Sequence, residues 1–383
     1  MAEVGKAVCM ICAVQLWEWS PSYTSIEQES ADFNPYKWRE DHVFLSGPTW
    51  PCDEVGPKSL KIPDESVILH NGRAYNRGQV TLSTGREVSL QLEHLPEQHP
   101  DHDAANGHRW YLGFHSACID MARRAMNEPS GKVKSMGDLW MTIERRCVKT
   151  ADDENTLPLY LPNIPNNRSG ESIELGLQRY YIPRDAICTE ESILDDPSLE
   201  WWNYDPLSIP RLTESLMSNL ERADASIAHE KFTNNFNNLP REIEDSIIAL
   251  LRDGSMSLEC TNLIPQSHWK DTLLRIPFLW DIKKHLVQAK YQEAVSGGFV
   301  WNWEKLVRLV MANATVPETK DQVDPDDEDC QDQIEDAWNY QKVGLNIPQG
   351  LTNRRRIWQI VTDMSPNDVG MEHVMDAMTE ESK

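Results

Sequence analysis

Cys9 and Cys12 stand two residues apart in GKAVCMICAVQL, and no second C-x-x-C occurs in the 383-residue chain. That spacing puts two thiols on one tight turn, which is half of a tetrahedral metal site; a closed structural zinc site takes four Cys or His ligands. A second pair of suitable type is His115 and Cys118, in FHSAC. It lies where HRWYLGFHSACIDMARRAM passes from strand alternation at Trp110, Leu112 and Phe114 into helical spacing. Three positions apart, the two side chains share one side of a first helical turn. A helix N-terminus also favours a thiolate electrostatically.

Two readings of these residues stand side by side. In the first, the pairs close a structural zinc site of treble-clef type, with C-x-x-C on a hairpin and the partners on the first turn of a helix. The insert of about a hundred residues between the halves is tolerable, because loop-closure entropy grows slowly with length. In the second, Cys9 and Cys12 are small buried apolar residues and His115 is a core histidine.

A rival metal cluster is His99, His102, Asp103 and His108, in EQHPDHDAANGHRW. Its chemistry suits hydrolysis. The surrounding Pro, Asp, Asn and Gly read as an exposed loop, which offers neither rigid elements nor hydrogen bonds to orient ligands. There is no Gly-rich phosphate loop, no G-x-S-x-G elbow, and no kinase or Rossmann fingerprint. The expectation is a protein without enzymatic activity.

The net charge of −24 argues against binding nucleic acid through its phosphates and against an anionic membrane surface. The first residues lack a signal-peptide pattern, and no apolar run reaches the length of a membrane span. A cytoplasmic or nuclear protein with reduced thiols is expected.

The chain reads as α+β. Residues 1–150 form an N-terminal domain of short strands and two helices, with Leu139, Ile143 and Cys147 on one helical face. Residues 151–230 are a Pro- and Asn-rich strap, which Trp201 and Trp202 anchor to a neighbouring core. Residues 231–320 are helical. Residues 321–345 begin with DQVDPDDEDCQDQIED, nine acids and no base, a solvated or disordered run. It lacks the central glycine of an EF-hand. Residues 346–383 hold a last helix with Ile357, Ile360, Val361 and Met364 on one side, and a tail. Arg354, Arg355 and Arg356 at its start read as a solvated face paired with the acidic run, or as part of an import signal.

In NLPREIEDSIIALL, Pro240 opens a helix whose apolar residues recur at helical spacing. Leu239, Pro240, Ile243, Ile247, Leu250 and Leu251 resemble the opening of an F-box. The flanking blocks DPLSIPRLTESL, IPQSHWKDTLLRIPFLWDI, WNWEKLVRLVM and GLTNRRRIWQIVTDM resemble those of filamentous-fungal F-box-domain proteins. The N-terminal C-x-x-C and the FHSAC helix recur in that group as well. The resemblance implies a structural Zn2+ on Cys9, Cys12, His115 and Cys118. It also implies that the six residues from Leu239 to Leu251 dock on a Skp-type adaptor of a cullin ubiquitin ligase. The zinc region and the Pro-rich strap would then present the surface for an unidentified protein substrate or partner. The chain departs from the pattern between Leu251 and Ile264, where RDGSMSLECTNL shortens or removes the second F-box helix. An interaction module without ligase recruitment is the alternative that this departure implies.

Overall fold

A computed structural model of the chain describes residues 9–12, 14, 16, 37–48, 64–74, 79–90, 109–150, 204–223, 239–240, 243, 246, 258–312 and 339–366. In chain order the strands are β1 (His42–Pro48), β2 (Ile68–Ala74), β3 (Gln79–Leu82), β4 (Glu87–Ser89) and β5 (Arg109–His115). The helices are α1 (Ser116–Met126), α2 (Met136–Thr150), α3 (Leu212–Ser218), α4 (Gln266–Leu273), α5 (Lys284–Gly297), α6 (Trp303–Val310) and α7 (Gly350–Asp363). With an antiparallel sheet and helices together, the chain is α+β, as its sequence predicts. It forms two compact units. The first comprises Met1–Leu207, Gln331–Ala337 and Asn353–Lys383, and the second comprises Ser208–Cys330 and Trp338–Thr352.

The sheet of the first unit has the order β4-β3-β2-β1-β5. Strands β1 to β4 form an antiparallel meander, and β5 returns along the free edge of β1, pairing His42 with His115 and Pro48 with Arg109. Val43, Phe44, Leu45 and Ser46 of β1 are all buried, so this strand, between β2 and β5, is covered on both faces. In β3 only alternate residues face inward; Val80 and Leu82 are buried, and Val80 pairs with Val88 of β4. The β3–β4 turn needs a left-handed residue, which Gly85 supplies at φ +80°. Helix α2 buries Leu139, Trp140 and Ile143 completely. The Trp140 indole lies over the backbone of Gly47 in β1, in the space a Cβ there would fill.

From Asn353 onward α7 belongs to the first unit. Ile357, Ile360, Val361 and Met364 are buried, as their spacing predicts. The arginines before them are not a solvated face. Arg354 and Arg356 have no exposed surface, and Arg355 is buried too. Arg354 Nε donates to the carbonyl of Pro206 at 2.5 Å and Nη2 to that of Leu207 at 2.9 Å, while Asn353 Nδ2 donates to that of Tyr204 at 2.8 Å. Pro206 is buried and Tyr204 and Leu207 are half-buried; carbonyls shielded from water outside a helix or sheet ladder require donors, and the polar side chains of this helix supply them.

In the second unit α6 packs on α4 and α5 on α3, around a core that includes Leu216, Trp269, Leu273, Val287, Trp303 and Val307. Asn302 caps α6 by accepting from the Lys305 amide at 2.9 Å. Glu304, fully buried one turn before Arg308, accepts from the Thr261 amide, the Thr261 hydroxyl and the Asn262 amide at 2.7, 2.8 and 2.9 Å. It also pairs with Arg308 at 2.8 Å. One carboxylate thus fixes the segment that leads into α4.

Of the F-box-like stretch, Leu239, Pro240, Ile243 and Ser246 are described. The backbone is helical at Ile243 and Ser246, the Ile243 amide donates to the Pro240 carbonyl at 2.9 Å, and Ile243 is 47% exposed. Ile247, Leu250 and Leu251 lie outside the described residues, as do Trp201, Trp202 and the acidic run.

Candidate metal centre

The Cys9–Cys12 turn is closed by the Cys9 amide, which donates to the Val14 carbonyl at 2.9 Å. It is docked on β5 by the Met10 amide, which donates to the Gly113 carbonyl at 3.1 Å. Gly113 permits this approach: a Cβ there would overlap Leu16 Cδ1. His115 ends β5 and is the N-cap of α1, with extended dihedrals of φ −72° and ψ 142°. Cys118 therefore sits in the first turn of α1, at the positive end of the helix dipole. The strand-to-helix junction expected at FHSAC is what brings the second pair to the first.

The His115 ring is held from two sides. The Trp38 ring lies 4.8 Å from it and the His42 ring 5.7 Å, both tilted. His42 Nε2 donates to the Arg39 carbonyl at 2.7 Å. Burial, and then the proximity of His115, lowers the His42 pKa to about 4, so this ring is neutral at physiological pH. With the ring so fixed, His115 Nδ1 stands 3.4 Å from Cys12 Sγ.

The ligand atoms of Cys9, Cys12, His115 and Cys118 all lie within 4.8 Å of one another. A zinc tetrahedron with metal–sulphur bonds of about 2.3 Å has edges of roughly 3.8 Å, so small movements close it. All four residues are completely buried, and the three cysteines are free thiols. Burial raises the Cys118 and Cys12 thiols; hydrogen bonding with Cys12 and then Cys9 raises Cys118 further, whereas at Cys12 hydrogen bonding with Cys118 opposes the rise and that with Cys9 adds to it. Burial acts the same way on Cys9, but hydrogen bonds with Cys118, Cys12 and His115 outweigh it and hold Cys9 well below the usual thiol range. Thiol ligands bind a metal as thiolates, so a cation bound by this cluster would displace the thiol protons.

Sequence reasoning missed one residue of this site. Arg356, fully buried, donates from Nη1 to the Cys12 carbonyl and from Nη2 to Asn353 Oδ1, both at 2.9 Å. Burial lowers its pKa, and the charges of Cys12, Cys118 and Cys9 oppose that effect. The available signal was position: Arg356 adjoins Ile357 in a stretch whose apolar residues mark a core helix. His99, His102, Asp103 and His108 lie outside the described residues, among which the Cys/His group is the cluster that could hold a metal ion.

Compared with known proteins, the chain matches no family model, no curated sequence and no solved structure. Fold and site define an α+β protein with a buried Cys/His cluster fit to hold a metal ion. Three soft sulphur donors and one imidazole, without a carboxylate, form a donor set suited to a tetrahedral thiophilic cation.

Proposed function

We propose that the cluster holds one structural Zn2+ in a treble-clef-like arrangement, and that the chain is a non-enzymatic substrate receptor of F-box type. The observation that carries the zinc assignment is the burial of all four ligand residues. A catalytic zinc keeps one coordination position open to water or substrate, whereas a closed Cys3His set serves the fold. Zinc here ties the N-terminal turn to the start of α1 and so stiffens the edge of the sheet.

The receptor reading rests on the resemblance of the segment from Leu239 to Leu251 to an F-box opening. It is supported by Ile243, an apolar residue 47% exposed on a helical backbone. Leu239, Pro240, Ile243, Ile247, Leu250 and Leu251 would face a Skp-type adaptor, and the zinc-bearing unit would present a protein partner in the cytoplasm or nucleus. Neither nucleic acid nor membrane is part of this reading. Co-purification of the full chain with a Skp-type adaptor tests it: wild type is captured, and Ile243→Asp is not. If wild type and Ile243→Asp bind equally poorly, the reading becomes that of a zinc-stabilised interaction module without ligase recruitment. The shortened RDGSMSLECTNL stretch favours that second reading.

A further inference from the structure

A zinc ion bound by three thiolates and one neutral imidazole carries a net negative charge. Buried away from water, that charge is costly unless an opposite charge lies beside it. A guanidinium is permanently protonated, and burying it alone is costly for the same reason. The structure brings the two together. Arg356 has no exposed surface, and its Nη1 reaches the carbonyl of Cys12, itself a ligand residue.

We propose that Arg356 is the neutralising partner of the metal centre, so that metal binding and the seating of α7 beside the Cys9–Cys12 turn stabilise one another. This rests on the reading of the cluster as a zinc site. The guanidinium is held in place for the role. Asn353 Oδ1 accepts from Nη2 at 2.9 Å, and Asn353 Nδ2 is committed to the Tyr204 carbonyl at 2.8 Å, so the amide cannot turn away. The planar fork spans the Cys12 carbonyl and the Asn353 amide at once, which a lysine ammonium on a flexible stem does less well. Linkage makes the effect reciprocal: whatever factor α7 adds to zinc affinity, zinc adds to the seating of α7. Arg356 is a positioning residue of the centre, not a ligand.

The test uses the full-length chain and zinc itself, titrated in competition with a chromophoric chelator. Arg356→Met is expected to weaken zinc binding by roughly 10–100-fold, the usual effect of losing a partner that contacts a ligand residue. Arg356→Lys, which keeps the charge, should recover much of the loss. In a Cys12→His background the zinc complex has no net charge, and there Arg356→Met should cost about threefold or less; the double-mutant cycle isolates the charge coupling. A second measurement needs no variant. Amide hydrogen exchange of the wild type with and without chelator should show residues 353–363 losing protection when zinc is removed, ahead of the β3–β4 hairpin. Zinc affinity unchanged in Arg356→Met, an equal loss in both backgrounds, or α7 amides indifferent to chelation would each overturn the inference while leaving the zinc site intact. Wild-type protein that binds no zinc would overturn the metal reading, and the inference with it.

Discussion

His115 Nδ1 stands 3.4 Å from Cys12 Sγ although the two residues are 103 positions apart in the chain. The whole of the five-stranded sheet's path lies between them. The centre is therefore a tie across the first unit, not a local knuckle, and its loss should be felt globally. The purified chain is expected to carry one zinc, and Cys9→Ser or Cys118→Ser should abolish it; metal analysis by mass spectrometry reads this directly. Zinc that survives Cys9→Ser but disappears in His102→Ala would move the site to the histidine-rich segment.

Chelation should lower thermal stability in a graded way. A ligand that binds only the folded state stabilises it by about 1.4 kcal/mol for each tenfold rise in its free concentration above Kd. Melting curves at buffered zinc concentrations should therefore shift upward steadily. A melting temperature independent of free zinc would mean that the cluster is no more than packed thiols.

Glu304→Gln should destabilise the second unit by about 3–5 kcal/mol, because it leaves Arg308 buried without that counter-charge and sets its NH2 donor against one of the two backbone amides, Thr261 or Asn262, that the carboxylate oxygens accept from. Replacing both Glu304 and Arg308 by methionine should recover much of the stability, since an apolar pair of similar volume needs no compensation. Urea denaturation of the single and double variants makes the comparison. A neutral effect of Glu304→Gln would show that the carboxylate is dispensable.

Two glycines of the sheet should respond to alanine for different reasons. At Gly47 the added Cβ meets the fully buried Trp140 indole, so overpacking should cost about 1–3 kcal/mol. At Gly85 the space is open, and the cost of about 1–2 kcal/mol comes from φ +80° alone. Pairing each with Trp140→Leu separates them: the smaller side chain should relieve Gly47→Ala and leave Gly85→Ala as it was. Equal response of both variants to Trp140→Leu would contradict this division.

Much of the fold was legible because periodicity and ligand spacing are local properties. The strand-to-helix change at FHSAC, the apolar face of Leu139 and Ile143, and the stripe of Ile357, Ile360, Val361 and Met364 all follow from spacing of two or of three to four residues. The pairing of two short ligand motifs across a long insert was legible from residue type. Arg354 and Arg356 were not, because charge normally signals solvent, and only the tertiary structure shows carbonyls that need donors. Glu304 and Arg308 likewise have the spacing of an ordinary surface ion pair on a helix; their burial follows from the packing of α6 against α4. The order β4-β3-β2-β1-β5 is a non-local fact, set by which strand edges remain unpaired after the meander forms.

The length of chain between Cys12 and His115 also sets an order of events during synthesis. The two thiols of the turn leave the ribosome long before the imidazole and thiol that complete the set, and Arg356 follows 344 positions after Cys12. Until His115 and Cys118 have cleared the exit tunnel, the nascent turn offers a metal only two of the four ligands of the cluster. In the folded chain the four ligands meet where β5, paired along β1, delivers His115 to the start of α1, so on the zinc reading a closed centre reports that the edge of the sheet has formed.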